Sequence, residues 1–307
     1  MTSKNITSSR LALSTQQVAL LDPGQRVARV ARLTDESMAT VDAAIEEFVI
    51  TADKQLMGVC AMFSGGNDST VLTHLFRGRA THAIHANTTI GVEETRQFVR
   101  EACRRWDLDL LEYAPDAVDQ YRALVLAHGF PGPGMHAKMY QRLKERAFHK
   151  ARRHLVDDGR RQRVLFLAGR RRTESIRRSG VKECDRDGSI VWVSPMVNWT
   201  KLDLNTYRTM HGNVPANSVT DLLHMSGECL CGAFARTNEL DEIAFWFPAV
   251  ADEIHELERM IANRDDIPEY RKLWGWGGDP ETLRRSRSHE RRPTAGRLCG
   301  SCELQKP

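Results

Sequence analysis

The sequence predicts an α/β protein built on a doubly wound parallel sheet, followed by a helical, cysteine-bearing C-terminal region. Three observations carry this. A short apolar run, Met57-Gly58-Val59-Cys60-Ala61-Met62-Phe63, ends at Ser64-Gly65-Gly66 and is followed by a helical segment. Runs of that kind then alternate with amphipathic stretches as far as Val193. Beyond Trp199 the pattern turns helical and irregular, with cysteines in two separate places. A brief apolar run before a glycine turn reads as a strand buried on both faces, and strand–helix alternation points to parallel pairing.

The elements follow in order. Residues 1–30 are polar and weakly patterned, which predicts a loose N-terminal arm. Residues 33–53 read as a helix capped by Asp35, with Met38, Val41, Ile45, Phe48 and Val49 at helical spacing. The strand at 57–63 leads into a helix over 69–76. Strands are expected at 80–86 and 108–113, with helices at 93–106 and near 116–128. Phe130-Pro131-Gly132-Pro133-Gly134 breaks the pattern. A long basic helix over 136–155, a strand at 164–168 and a short strand at 190–193 complete the α/β domain, residues 31–215. Residues 216–307 form the C-terminal region, in which 284–296 is basic and poor in apolar residues, as exposed segments are.

The 307 residues, 41% of them hydrophobic, are enough for a sizeable core. No stretch approaches the ~18–20 apolar residues of a membrane span, and the polar start Met1-Thr2-Ser3-Lys4-Asn5 has no apolar signal core, so a cytoplasmic protein is expected. Seven cysteines without a regular framework suit metal ligation, catalysis or burial better than disulfides. The net charge of +4 says little, but arginines cluster at Arg152-Arg153, Arg160-Arg161, Arg170-Arg171-Arg172, Arg177-Arg178, Arg284-Arg285 and Arg291-Arg292. Such clusters are solvated faces or, taken together, the mark of an anionic partner: a nucleotide or a nucleic acid.

Ser64-Gly65-Gly66-Asn67-Asp68-Ser69-Thr70 is the most specific motif. Glycines between a strand and a helix let successive N–H groups face one phosphate, and the helix adds its positive dipole end. Ser64, Ser69 and Thr70 bring hydroxyls. Asp68 either ties the loop by accepting backbone N–H bonds or helps to hold Mg²⁺. No Gly-Lys-Ser/Thr follows, so this is not a Walker A loop.

The loop resembles the PP-loop of the N-type ATP pyrophosphatases, and its surroundings resemble the phosphoadenosine phosphosulfate (PAPS) reductase branch of that superfamily. His85-Ala86-Asn87-Thr88 stands where the family has an Asp-Thr-Gly segment for the nucleotide, and Glu94-Thr95 matches the Glu-Thr that opens the next helix. Leu143-Lys144 resembles the family's Leu-Lys. Gly169-Arg170-Arg171-Arg172-Thr173-Glu174-Ser175, with Arg178, resembles its Gly-x-Arg-x-x-Gln/Glu-Ser-x-x-Arg loop. Pro195-Met196-Val197-Asn198-Trp199-Thr200, then Asp203 and Tyr207, resembles its Pro-x-x-x-Trp-x-x-x-Asp-x-x-x-Tyr segment. The resemblance runs in family order over residues 57–207 and implies an adenine nucleotide alpha hydrolase-like fold. It implies ATP or PAPS, with Mg²⁺, bound by Ser64, Gly65, Gly66, Asn67, Asp68, Ser69, Thr70, Asn87, Thr88, Gly169, Arg171 and Arg178. Asp68, Lys144 and Arg171 are the expected catalytic groups. Asn67 departs from the Lys of many relatives, and Asn87 from Asp.

Cys229-Leu230-Cys231 and Cys299-Gly300-Ser301-Cys302 are two close pairs far apart in sequence. Cys-x-x-Cys is a common half-site for zinc or an iron–sulfur cluster, so one four-thiolate site is expected from Cys229, Cys231, Cys299 and Cys302. The other reading is one redox-active Cys-x-x-Cys plus two incidental thiols. The resemblance extends to adenylyl-sulfate reductases with two cysteine pairs on a [4Fe–4S] cluster. Those enzymes also carry a catalytic cysteine in a Glu-Cys-Gly segment, which nothing here matches: Glu228-Cys229 is followed by Leu230.

Three functions are therefore expected, in this order. The first is an ATP-using enzyme that adenylylates an acceptor with pyrophosphate release, with a nucleic acid or a sulfur-donor protein as partner. The second is a PAPS or adenylyl-sulfate reductase. The third is a nucleotide-binding module with structural Zn²⁺ and no catalysis.

Overall fold

The structure is a computed structural model and describes residues 13–175, 178–236 and 238–279. The chain begins with helices α1 (Thr15–Ala19) and α2 (Pro23–Ile45), the latter running on into one π turn, Glu46–Ile50. Strand β1 (Gln55–Met62), helix α3 (Asn67–Phe76), strand β2 (His82–Ala86), helix α4 (Glu93–Arg105) and strand β3 (Asp109–Tyr113) follow. Helices α5 (Tyr121–His128), α6 (His136–Tyr140) and α7 (Arg146–Leu155) lead to β4 (Gln162–Leu167), β5 (Cys184–Asp187) and β6 (Ile190–Val193). Helices α8 (Lys201–His211), α9 (Ser218–Leu223), α10 (Glu239–Trp246) and α11 (Pro248–Ile261) complete the order.

The six strands lie in the order β3-β2-β1-β4-β6-β5, parallel except for β5, which runs antiparallel to β6 at one edge. Chain direction across the sheet reverses between β1 and β4. In open α/β sheets the crevice at such a switch point, outside the strand carboxyl ends, is where ligands bind.

Alternation along the strands sends side chains to both faces. Val59 of β1 and Leu165 and Leu167 of β4 pack with α2, α3 and α8 through Val30, Leu33, Val71, Leu72, Leu204 and Tyr207. Cys60, Met62, Val164 and Phe166 point the other way, onto Ala147, Phe148 and Ala151 of α7. The sheet is thus covered on both sides, as the expected doubly wound architecture requires. A further core gathers α5, α9, α10, α11, Trp274 and Trp276 around Ile90 and Val92, so residues beyond 215 pack on the segment that leaves β2.

Three local expectations are corrected. The expected loose arm is helical over Thr15–Ala19 and again from Pro23, where Asp22 sits in a capping box, so Asp35 lies inside a helix instead of capping one. The reason is tertiary. Val18, Val30 and Leu33 are buried, and Arg29 Nε lies 3.0 Å from Asp203 Oδ1, with Nη2 3.2 Å from Oδ2. A guanidinium is buried only when paired, and its carboxylate here is 174 residues away. Strand β5 was not expected, because Asp185, Arg186 and Asp187 show no apolar run; it forms by pairing with β6 at the sheet edge. The basic helix over 136–155 contains a π turn, Gln141–Glu145.

Candidate nucleotide site

Strand β1 gives way to Phe63-Ser64-Gly65-Gly66, and Gly66 is the N-cap of α3. Gly65 has φ +75°, and a Cβ on it would stand 2.8 Å from Thr95 Cγ2, so both backbone and space call for glycine. The Ser64 N–H donates to Ser69 Oγ (3.3 Å), Ser69 Oγ donates to the Gly66 carbonyl (2.9 Å), and Thr70 Oγ1 donates to the same carbonyl (2.8 Å). Asn217 Nδ2 donates to the Gly65 carbonyl (3.0 Å) and to Thr95 Oγ1 (3.1 Å). The loop is held from behind, with the N-terminal turn of α3 beside it. That end carries unpaired N–H groups and the positive dipole end, which favour an anion.

Asp68 differs from the expected backbone tie. Its Oδ2 accepts from Arg171 Nε (3.0 Å) and lies 2.9 Å from Arg171 Nη2. Arg171 leaves the carboxyl end of β4 two residues after Gly169, whose position is equally constrained. A Cβ there would meet the Asp68 carbonyl carbon and oxygen at 3.2 Å. The loops after β1 and β4 therefore close on each other at the switch point.

Between these loops and the C-terminal region lies a cleft of about 820 Å³. Ser64, Gly66, Asn67, Asp68 and Ser69 line one side, joined by Lys144, Gly169, Arg171 and Arg178. Cys229 and Cys231 line it too. Lys144 comes from the π turn, a feature frequent at functional sites. Arg178 Nη1 donates to Glu174 Oε2 (2.6 Å). Gly65, Thr70, Asn87 and Thr88 are not in the lining. Thr70 is buried, Asn87 Nδ2 donates to Glu112 Oε1 (3.0 Å), and the buried Thr88 N–H donates to Glu228 Oε1 (2.8 Å).

The cysteine wall is tied to the sheet through Glu228, which is buried. Besides Thr88, its carboxylate faces His85 Nε2 at 3.0 Å and Arg96 Nε at 3.7 Å, and its carbonyl accepts from Thr88 Oγ1. Burial works against a charged His85, but the Glu228 carboxylate, the Phe63 carbonyl and Glu112 together outweigh it, and the His85 pKa is raised. The Val92 N–H donates to the Gly227 carbonyl and the Leu230 N–H to the Ile90 carbonyl, both at 2.8 Å. Tyr121 Oη donates to the Cys231 carbonyl (3.0 Å) and Trp274 Nε1 to the Leu230 carbonyl (2.9 Å). The backbone that carries Cys229 and Cys231 is thus held by hydrogen bonds from both sides. Among the described residues no group of three His, Cys, Asp or Glu is placed to hold a metal; Cys299 and Cys302 lie outside the described residues.

Sequence reasoning missed Glu228 as an anchor and Arg208, Lys201 and Asn205 as cleft residues. A glutamate before a cysteine is unremarkable in sequence. The spacing of Lys201, Asn205 and Arg208 on one helical face was a signal that periodicity could have found.

Fold and loop together define a nucleotide-binding protein of the PP-loop type. The chain belongs to the phosphoadenosine phosphosulfate reductase domain family, whose model matches residues 58–224, more than half of its length. It is therefore an adenine nucleotide-binding enzyme of the PP-loop superfamily. No curated protein matches the chain. Among solved structures it is similar to phosphoadenylyl-sulfate (PAPS) reductase from Candida auris in a phosphate complex. That likeness has 17% identity and a TM-score of 0.43, over 68% of this chain and 92% of that one. It is also similar to yeast FAD synthetase in complex with FAD, at 14% identity and a TM-score of 0.41, over 88% of this chain and 94% of that one. No helix among the described residues is long and apolar enough to cross a membrane.

Proposed function

We propose that this protein is a cytoplasmic ATP-using PP-loop enzyme that adenylylates an acceptor and then exposes it to sulfur. The observation that supports the reading most is the shared cleft: the phosphate loop, Lys144 and Arg171 on one side, Cys229 and Cys231 on the other. An acceptor oxygen attacks the α-phosphorus of ATP, the bond to the β-phosphate oxygen breaks, and pyrophosphate leaves into the nest of N–H groups. A sulfur nucleophile then attacks the activated acceptor and AMP departs with the bonding electrons. Lys144 and Arg171 stabilise the charge that develops, and holding the reactants in line supplies much of the rate. Arg171 engages Asp68 through Oδ2, so Oδ1 is the oxygen we assign to Mg²⁺.

Cys229 and Cys231, with Cys299 and Cys302, are the residues that would hold a [4Fe–4S] cluster or Zn²⁺. A cluster would supply a site for sulfur, whereas zinc would brace the C-terminal region. The basic clusters make a nucleic acid the first acceptor class to try.

A second reading, sulfonucleotide reduction, is favoured by the partly exposed Cys229 on the cleft wall. Its thiolate would attack the sulfur of PAPS or adenylyl sulfate, the S–O bond would break, and the nucleotide would leave. A dithiol such as thioredoxin would then reduce the S-sulfocysteine and free sulfite. One experiment separates the two: the full chain, purified without air, is incubated with Mg²⁺-ATP and acceptor, or with PAPS and thioredoxin. Acceptor-dependent pyrophosphate release is expected. Strong thioredoxin-dependent sulfite release without it overturns the first reading. Metal analysis and a visible spectrum of the same sample distinguish iron with sulfide from zinc.

A further inference from the structure

The phosphate loop carries no cation of its own between Ser64 and Thr70, and Asp68 makes it negative. Two arginines beside it are matched by carboxylates: Arg171 by Asp68 and Arg178 by Glu174. Arg208 on α8 is different. Its Nη1 donates to Asn67 Oδ1, on the first residue of α3, and its Nη2 donates to the Pro215 carbonyl. Both partners are neutral. Among the described residues no carboxylate lies within ion-pair distance of it, and Asp221 acts on it only from farther away. Burial disfavours its charge. A half-buried guanidinium at the mouth of an anion nest, with no carboxylate in ion-pair contact among the described residues, is arranged for an anionic ligand. Lys201 and Asn205 lie four and three residues apart from their neighbours on the same stripe of α8, and all three line the cleft.

We propose that Arg208, supported by Lys201 and Asn205, is the second bank of an oligophosphate site and grips the β- and γ-phosphates of a nucleoside triphosphate. This rests on the reading of the loop as the nucleotide site. Arg208 reaches Asn67, so it supplies from α8 the charge that the loop lacks. The chain discriminates nucleotides by the length of the phosphate tail, triphosphate over monophosphate.

The test is calorimetric titration of the full chain with ATP, ADP, AMP, adenosine 3′,5′-bisphosphate and inorganic pyrophosphate, each with Mg²⁺. Arg208→Gln is expected to weaken ATP and pyrophosphate on the order of tenfold or more, the range for a hydrogen bond to a charged group, and to leave AMP unchanged. Asn67→Lys in that background, which returns a cation to the same corner, is expected to recover most of the ATP affinity. ATP binding by Arg208→Gln equal to that of the parent overturns the proposal, as does an equal loss for AMP and ATP. A loss confined to the 3′,5′-bisphosphate overturns it in favour of a 3′-phosphate site. A parent chain that binds none of these nucleotides instead removes the nucleotide reading itself, and this proposal with it.

Discussion

On the loop wall of the cleft, the bonds that set the turn itself join near neighbours, Ser64 with Ser69 and Ser69 and Thr70 with Gly66, while Asn217, Arg171 and Arg208 brace that turn from distant parts of the chain. On the cysteine wall, the bonds join distant residues. Thr88 meets Glu228 across 140 positions, Tyr121 meets Cys231 across 110, and Trp274 meets Leu230 across 44. The turn of the loop wall is local chemistry set by strand, glycines and helix, and its distant partners brace a shape that is already formed. The cysteine wall exists only once the sheet, α5 and the C-terminal region have come together. A change on the loop wall should therefore act on ligand binding first, whereas a change on the cysteine wall should act on the whole fold.

The largest expected effect tests this contrast directly. Glu228→Ala leaves His85 and Arg96 without their buried carboxylate and removes the acceptor for the Thr88 N–H. Breaking a buried ion pair from one side costs about 3–5 kcal/mol, so denaturant unfolding should show a loss of that size. A stability within about 0.5 kcal/mol of the parent, the usual range for a plain surface change, would refute the anchoring role.

Gly65→Ala is the counterpart on the loop wall. A left-handed backbone costs an alanine roughly 1–2 kcal/mol, and the added Cβ also presses on Thr95. We expect a smaller drop in stability than for Glu228→Ala and a larger drop in ATP affinity. If stability falls more and binding less, the division between the walls is wrong.

The finest distinction is pH. The raised pKa of His85 means that its pair with Glu228 stabilises fully below the ordinary imidazole value of 6.5, and that this contribution is lost as pH rises through the folded value. His74, on α3 behind the loop, behaves oppositely. Burial and then Arg77 push it down to about 4, so its contribution is present above 6.5 and is lost as pH falls towards 4. Its ring is held by Tyr207 Oη at 2.9 Å and Asn213 Oδ1 at 3.1 Å. Unfolding free energies measured from pH 5 to 8.5 should fall at both ends. His85→Asn should flatten the alkaline side and His74→Asn the acid side. A parallel shift of the whole curve by one of these variants would show that its histidine's titration is not coupled to folding.

Much of this molecule was written locally. The run into Gly65 and Gly66, the alternation of strands and helices, and the place of Gly169 and Arg171 at a strand's carboxyl end follow from short-range rules. The backbone at a glycine turn, the period of an apolar stripe and the position of a strand end are all set by a few neighbouring residues. What the tertiary structure decided has the opposite character. The helix around Arg29 is stabilised by an aspartate 174 residues away, and β5 exists because β6 offers it an edge. Asn87 and Thr88 stand where a nucleotide contact was expected, yet their polar groups are spent on Glu112 and Glu228. Arg208 reaches the loop from α8, across 141 residues, to meet Asn67. A buried polar group must find a partner wherever the fold puts one, and local pattern carries no record of a partner that only long-range packing brings near.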